Sequence, residues 1–88
     1  MPLIKLYAGL RAAAGLKETH VDGNRLQDIL LSLVEQYPGL DGAVLDAEGL
    51  RPHVVITVNG KHIDPDAGLA IPIMPGDQIA IFPPIAGG

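Results

Sequence analysis

Cysteine is absent from the 88-residue chain, and so is tryptophan. Without thiols there is no disulfide, no thiolate ligation of zinc or an iron–sulfur cluster, and no cysteine nucleophile. Aromatic residues are scarce, with Tyr7, Tyr37 and Phe82 forming the whole set. Charge is thin too: charged residues make up 18%, with six basic against ten acidic side chains and a net charge of −4. The basic residues are scattered, whereas a nucleic-acid binder carries a basic patch, so direct nucleic-acid binding is disfavoured. No apolar run is long enough to span a membrane. The opening residues lack the basic-then-apolar layout of a secretion signal, and a cytoplasmic location is expected.

Other chemistry is missing as well. His20, His53 and His62 include no pair at helical i, i+4 spacing, so no metal site is expected. Ser32, read as lying on the water-facing side of a helix, has no His–Asp arrangement beside it in the sequence. The glycines form no phosphate-cradling motif. Asp64 and Asp66 flank Pro65, which reads as turn chemistry. No independent catalytic activity is expected of this chain.

What is present is apolar. Hydrophobic residues make up 48%, enough for one compact core in one small domain. The 11 glycines and 8 prolines fall between apolar segments and mark turns. Residues 3–8 read as a first strand, and residues 9–15 as a turn region with room for one helical turn. Residues 17–22 read as a polar strand near a sheet edge. Leu26, Ile29, Leu30, Leu33, Val34 and Tyr37 recur with helical period, with Asn24 as N-cap and Gln27 three residues later. Burying each large residue of this stripe stabilises by about 1.5–3 kcal/mol, so the helix must dock on a sheet. Pro38 and Gly39 end it.

In the connection that follows, Leu40, Val44 and Leu45 are expected to tuck back as a short helical turn. Residues 53–58 form the most β-branched strand, and Asn59-Gly60 is a hairpin turn leading into a short strand at 61–63. Prolines keep 64–76 irregular, and 77–82 is the last strand. The reading is an α+β fold, a mixed sheet covered on one face by one main helix.

Side chains alternate along a strand, so each strand has an inward and an outward set. Lys5 cannot sit easily under a helix, which places Tyr7 with it on the outer face and Ile4, Leu6 and Ala8 inside. By the same parity Ile79 and Ile81 point inward, while Gln78, Ala80 and Phe82 point outward. Val54, Ile56 and Val58 point inward, and His53, Val55 and Thr57 outward. Two of the three aromatics therefore lie on the uncovered face, as a partner-docking patch would require.

After the last strand come Pro83-Pro84-Ile85-Ala86-Gly87-Gly88. The prolines give a stiff start, Ile85 and Ala86 a modest anchor, and the glycines have no side chain. Fully extended, this tail reaches about 20 Å, a slender probe able to enter a narrow tunnel and present a carboxylate there. The organisation expected is a compact domain over 1–82 and an extended tail over 83–88.

The whole chain resembles the MoaD/ThiS-type sulfur carriers of the β-grasp, ubiquitin-like fold, and most of all the small subunit of molybdopterin synthase. The resemblance is carried by Tyr7-Ala8-Gly9-Leu10-Arg11, Ala14-Gly15, Gln36-Tyr37-Pro38-Gly39-Leu40, Val58-Asn59-Gly60, Gly76-Asp77 and the Pro-Pro-x-x-Gly-Gly ending. Where the family often has Asp-Gly-Asp, this chain has Pro75-Gly76-Asp77, a turn variant.

The resemblance implies a non-catalytic carrier subunit that binds no cofactor of its own. An adenylating, E1-like activating enzyme, using ATP and magnesium, activates Gly88, and a sulfur donor converts it to a thiocarboxylate. The large subunit of molybdopterin synthase then receives the tail, and the terminal sulfur goes to a pterin precursor of the molybdenum cofactor. Gly88 is the reactive group, and Gly87 permits close approach. Tyr7, Phe82, Pro83, Pro84, Ile85 and Ala86 are the partner-binding residues. Arg11 and Lys61 are further candidates for contact, with a solvated-surface role the simpler reading of each, and the acidic net charge suits a basic partner entrance. Three alternatives share the tail: a sulfur carrier for thiazole or cysteine biosynthesis, a ubiquitin-like protein modifier, and a plain interaction module.

Overall fold

The structure is a computed structural model that describes residues 1–46, 49–65 and 67–83. The elements are β1 (Leu3–Leu6), α1 (Gly9–Ala14), β2 (Glu18–His20), α2 (Leu26–Gln36), β3 (Leu45–Asp46), β4 (Gly49–Leu50), β5 (Val55–Val58), β6 (Lys61–His62) and β7 (Gln78–Phe82). Among the described residues five strands form one sheet in the order β2-β1-β7-β5-β6. β1 and β7 run parallel at its centre and the other pairs are antiparallel, so the sheet is mixed, as expected. No helix among the described residues is long and apolar enough to cross a membrane.

Within the strands that form, the alternation read from the sequence holds, whereas His53, read as outward on its strand, lies in the turn before β5 at φ 65. Ile4, Leu6, Ile79 and Ile81 are fully buried, and Val54, Ile56 and Val58 nearly so. Against them α2 lays Leu26, Ile29, Leu30 and Leu33, all fully buried. The core is thus a Leu/Ile/Val layer between one sheet face and one helix, with Leu40, Val44 and Leu45 closing its end.

Four local expectations fail. The first strand stops at Leu6 rather than running to residue 8. Ala8 turns out of the sheet with φ 51 and ψ −131 and is exposed, so it is not on the inner face. The Leu10 N–H bonds to the Tyr7 carbonyl across this turn at 3.2 Å, and α1 follows at once.

Second, Asn24 does not cap α2. Arg25 stands at the N-cap in extended conformation with no side-chain bond. The main chain does the work instead: Leu26 N–H donates to the Ile71 carbonyl at 3.1 Å, and Ile73 N–H donates to the Asn24 carbonyl at 2.9 Å. The irregular 64–76 segment supplies the acceptor that a cap side chain would otherwise provide.

Third, in the connection after α2 a 3-10 turn at Pro38–Leu40 takes in Leu40 alone of the three residues expected to tuck back as a helical turn. Leu45 belongs to a two-stranded ribbon with Leu50, clamped by an Arg51–Asp46 ion pair at 3.1 Å. Its side chain still reaches the core, so the tucking was right and the helix was not. Fourth, Ser32, read as water-facing, is partly buried. The Asn59-Gly60 turn forms as read, with φ 52 and 84, the left-handed pair that a type I′ hairpin needs.

Candidate functional site at the bare sheet face

With α2 on one face of the sheet, the outward side chains make the opposite face. Pairing sets their rows. Leu6 lies beside Ile81 across β1 and β7, so Tyr7 falls one step on, beside Phe82. Phe82 pairs with Val55 across β7 and β5, and Ala80 pairs with Lys5 and Thr57. The rings of Tyr7 and Phe82 stack, with centroids 4.5 Å apart and planes 15° apart. Both residues are partly buried, whereas Val55 is exposed.

Arg11 completes this corner. Its position on α1, just beyond the end of β1, lets Nε donate to the Leu6 carbonyl at 2.8 Å. The guanidinium carbon then lies 5.3 Å from the centre of the Tyr7 ring, within cation–π range. Arg11 is exposed, as the simpler reading has it, and these two contacts tie it to Tyr7 and the end of β1. Lys61, by contrast, is exposed on the edge strand β6.

Below the aromatic pair is a shallow hollow of about 300 Å³, lined by Lys5, Tyr7, Thr57, Asn59, Gln78 and Phe82 among others. Its lower rim is a clasp that the sequence reading missed. Asn59 Nδ2 donates to Asp77 Oδ1 at 2.9 Å, and Gln78 N–H donates to Asn59 Oδ1 at 2.9 Å. The second Asp77 oxygen accepts from Met74 N–H at 2.8 Å. The Met74 N–H and then the Asn59 amide hold the Asp77 carboxyl below its ordinary value. The signal was present in the sequence: Asn59-Gly60 and Gly76-Asp77 are both turn motifs, but only the fold shows that they meet.

Pro83 follows Phe82 directly and is partly buried, so residue 83 lies at the aromatic corner. Pro84, Ile85, Ala86, Gly87 and Gly88 lie outside the described residues. Among the described residues no group of His, Asp or Glu could hold a metal ion. Among the described residues this face offers apolar contact, the Arg11 cation held near the Tyr7 ring and hydrogen-bonding groups.

Comparison with known proteins agrees with this geometry. The ThiS family matches residues 4–88. The small archaeal modifier protein 3 of Haloferax volcanii is 32% identical over 88 residues, covering 97% of this chain and 96% of that protein. The molybdopterin synthase sulfur carrier subunit of Chlamydomonas reinhardtii is 28% identical over 85 residues, covering 93% and 92%. The solution structure of small archaeal modifier protein 1 from Methanosarcina acetivorans superposes with a TM-score of 0.83 at 36% identity, covering 98% of this chain and 94% of that one. The chain belongs to the ThiS family of ubiquitin-like, β-grasp sulfur carriers and modifiers.

Proposed function

We propose that this chain is a sulfur carrier whose reactive group is the carboxyl of Gly88, presented on the 83–88 tail by the 1–82 domain. The observation that carries the reading is the stacked Tyr7–Phe82 pair on the uncovered face, next to the residue where the tail begins. A docking surface at that place fixes the body of the carrier while the tail reaches about 20 Å into a partner.

The chemistry assigns each step to a participant. A carboxylate is ionised at neutral pH and is a poor electrophile. An E1-like enzyme holding ATP and magnesium joins the Gly88 carboxylate to the α-phosphate and releases pyrophosphate. A sulfur donor then displaces AMP and leaves a thiocarboxylate. As the small subunit of molybdopterin synthase, the carrier delivers this sulfur to a pterin precursor held by the large subunit. The carrier itself acts as co-substrate and does no catalysis. The aromatic corner carries Arg11, with Lys5 on the same face, so the docking contact suits acidic partner groups despite the chain's net charge of −4.

A second reading has a specific observation in its favour: relatives covering nearly the whole chain are named as modifier proteins. A modifier shares the activation step, but its acyl group ends in an amide on a lysine of another protein. The two are separated by incubating the chain with activating enzyme, ATP and a sulfur source, then adding the large subunit with its pterin precursor. The carrier reading expects a gain of about 16 Da on the chain, lost on transfer to the pterin. Amide-linked conjugates to other proteins, with no sulfur reaching the pterin, favour the modifier.

A further inference from the structure

The Asn59-Gly60 dipeptide is chemically labile as well as turn-forming. In a flexible chain the Gly60 backbone nitrogen, with no side chain beside it, can attack the side-chain carbonyl carbon of Asn59. In the fold that amide is turned toward β7. Its nitrogen donates to Asp77 and its oxygen accepts from the Gln78 N–H, both at 2.9 Å. The Asn59 main-chain N–H also donates to the Gln78 carbonyl, at 2.8 Å. Asn59 is exposed, so burial does not protect it. Protection rests on the clasp, whose own anchor is the Met74 N–H on the second Asp77 oxygen.

We propose that Asn59 is a latched self-modification site: the amide persists while the clasp to Asp77 and Gln78 is closed, and each opening exposes it to conversion into aspartate or isoaspartate. The Gly60 nitrogen loses its proton to solvent and bonds to Asn59 Cγ. The Cγ–Nδ2 bond breaks, and the nitrogen leaves as ammonia with a proton from water. Water then opens the five-membered imide at either carbonyl, so the net change is ammonia lost and water gained. The product is a second carboxylate facing Asp77 with no N–H to donate, a like-charge contact in place of a hydrogen bond. Isoaspartate also adds a methylene to a turn that needs φ 52 and 84. Asn59 and Gln78 both line the hollow, so conversion opens one wall of it. That consequence for partner binding rests on the bare face being the docking face; the conversion itself does not.

The test follows Asn59 by peptide mass mapping at mildly alkaline pH. It compares the folded chain, its Asp77→Asn and Asp77→Ala variants and the urea-unfolded chain. The folded wild type is expected to convert at least about tenfold more slowly than the unfolded chain, and the Asp77 variants severalfold faster than wild type while circular dichroism shows them folded. If a variant does not fold, wild type across sub-denaturing urea replaces it, with hydrogen exchange at the Gln78 N–H reading the clasp. Conversion then rises in step with that exchange. A folded wild type that converts at the unfolded rate, or conversion independent of Gln78 exchange, overturns the inference. If converted protein binds the activating enzyme unchanged, the latch stands and docking through this face fails.

Discussion

Phe82 stacks on Tyr7 with ring centroids 4.5 Å apart, although the two residues sit at opposite ends of the chain. The parallel pairing of β1 with β7 brings them together at the end of β7. Phe82→Ala is expected to weaken binding of the activating enzyme by at least about tenfold, the loss typical of an aromatic anchor at an interface. Thermal stability should fall little, because the ring is on the face away from α2. Calorimetric titration beside thermal unfolding checks this; a collapse in stability with binding unchanged contradicts it.

Gly39 is needed for close approach, not for an unusual φ. A Cβ there would overlap the Ala13 carbonyl oxygen, where the turn after α2 meets α1. Because that neighbour is backbone, relief requires moving α1. Gly39→Ala is expected to destabilise by about 1–3 kcal/mol, read from a urea midpoint.

Ala8 lies in a conformation that suits glycine, at φ 51 and ψ −131. Such strain costs on the order of 1–3 kcal/mol, partly offset by the greater freedom of glycine in the unfolded chain. Ala8→Gly is therefore expected to stabilise by up to about 1 kcal/mol in the same urea measurement. A destabilised variant would show that Ala8 makes a contact outweighing the strain.

Asp77 gives a pH dependence with a definite sign. Its folded value is lowered, so the unfolded chain binds the proton more readily on the acid side. The contribution is fully present above the ordinary carboxylate value of about 4 and is lost as pH falls through the lower folded value. Asn59→Ala removes one of the two hydrogen bonds responsible and should flatten this acid limb, read as the urea midpoint against pH.

Much of the fold was legible because one residue decided the parity. Lys5 had to face away from the helix, and this alone placed Tyr7 outside and Ile4 and Leu6 inside, where they are. The helical stripe and the Asn-Gly turn were likewise local signals with local causes. The start of α2 was not legible, because its acceptor is the Ile71 carbonyl, far along the chain, and no property of Asn24 reveals it. The Asn59–Asp77 clasp escaped for the same reason, since its partners are 18 residues apart. Ala8 misled because alternation was extended past the residue at which the backbone leaves the strand.

The function proposed for this chain turns on the Gly88 carboxyl as its working group. Tandem mass spectrometry of the C-terminal peptide after incubation with activating enzyme, ATP and a sulfur source tests it most directly. The added sulfur is expected to map to Gly88, and a chain extended by one residue beyond Gly88 is expected to stay folded but take up none. A C-terminal peptide left unmodified while the enzyme consumes ATP with this chain, or an extended chain charged as well as the original, would contradict it.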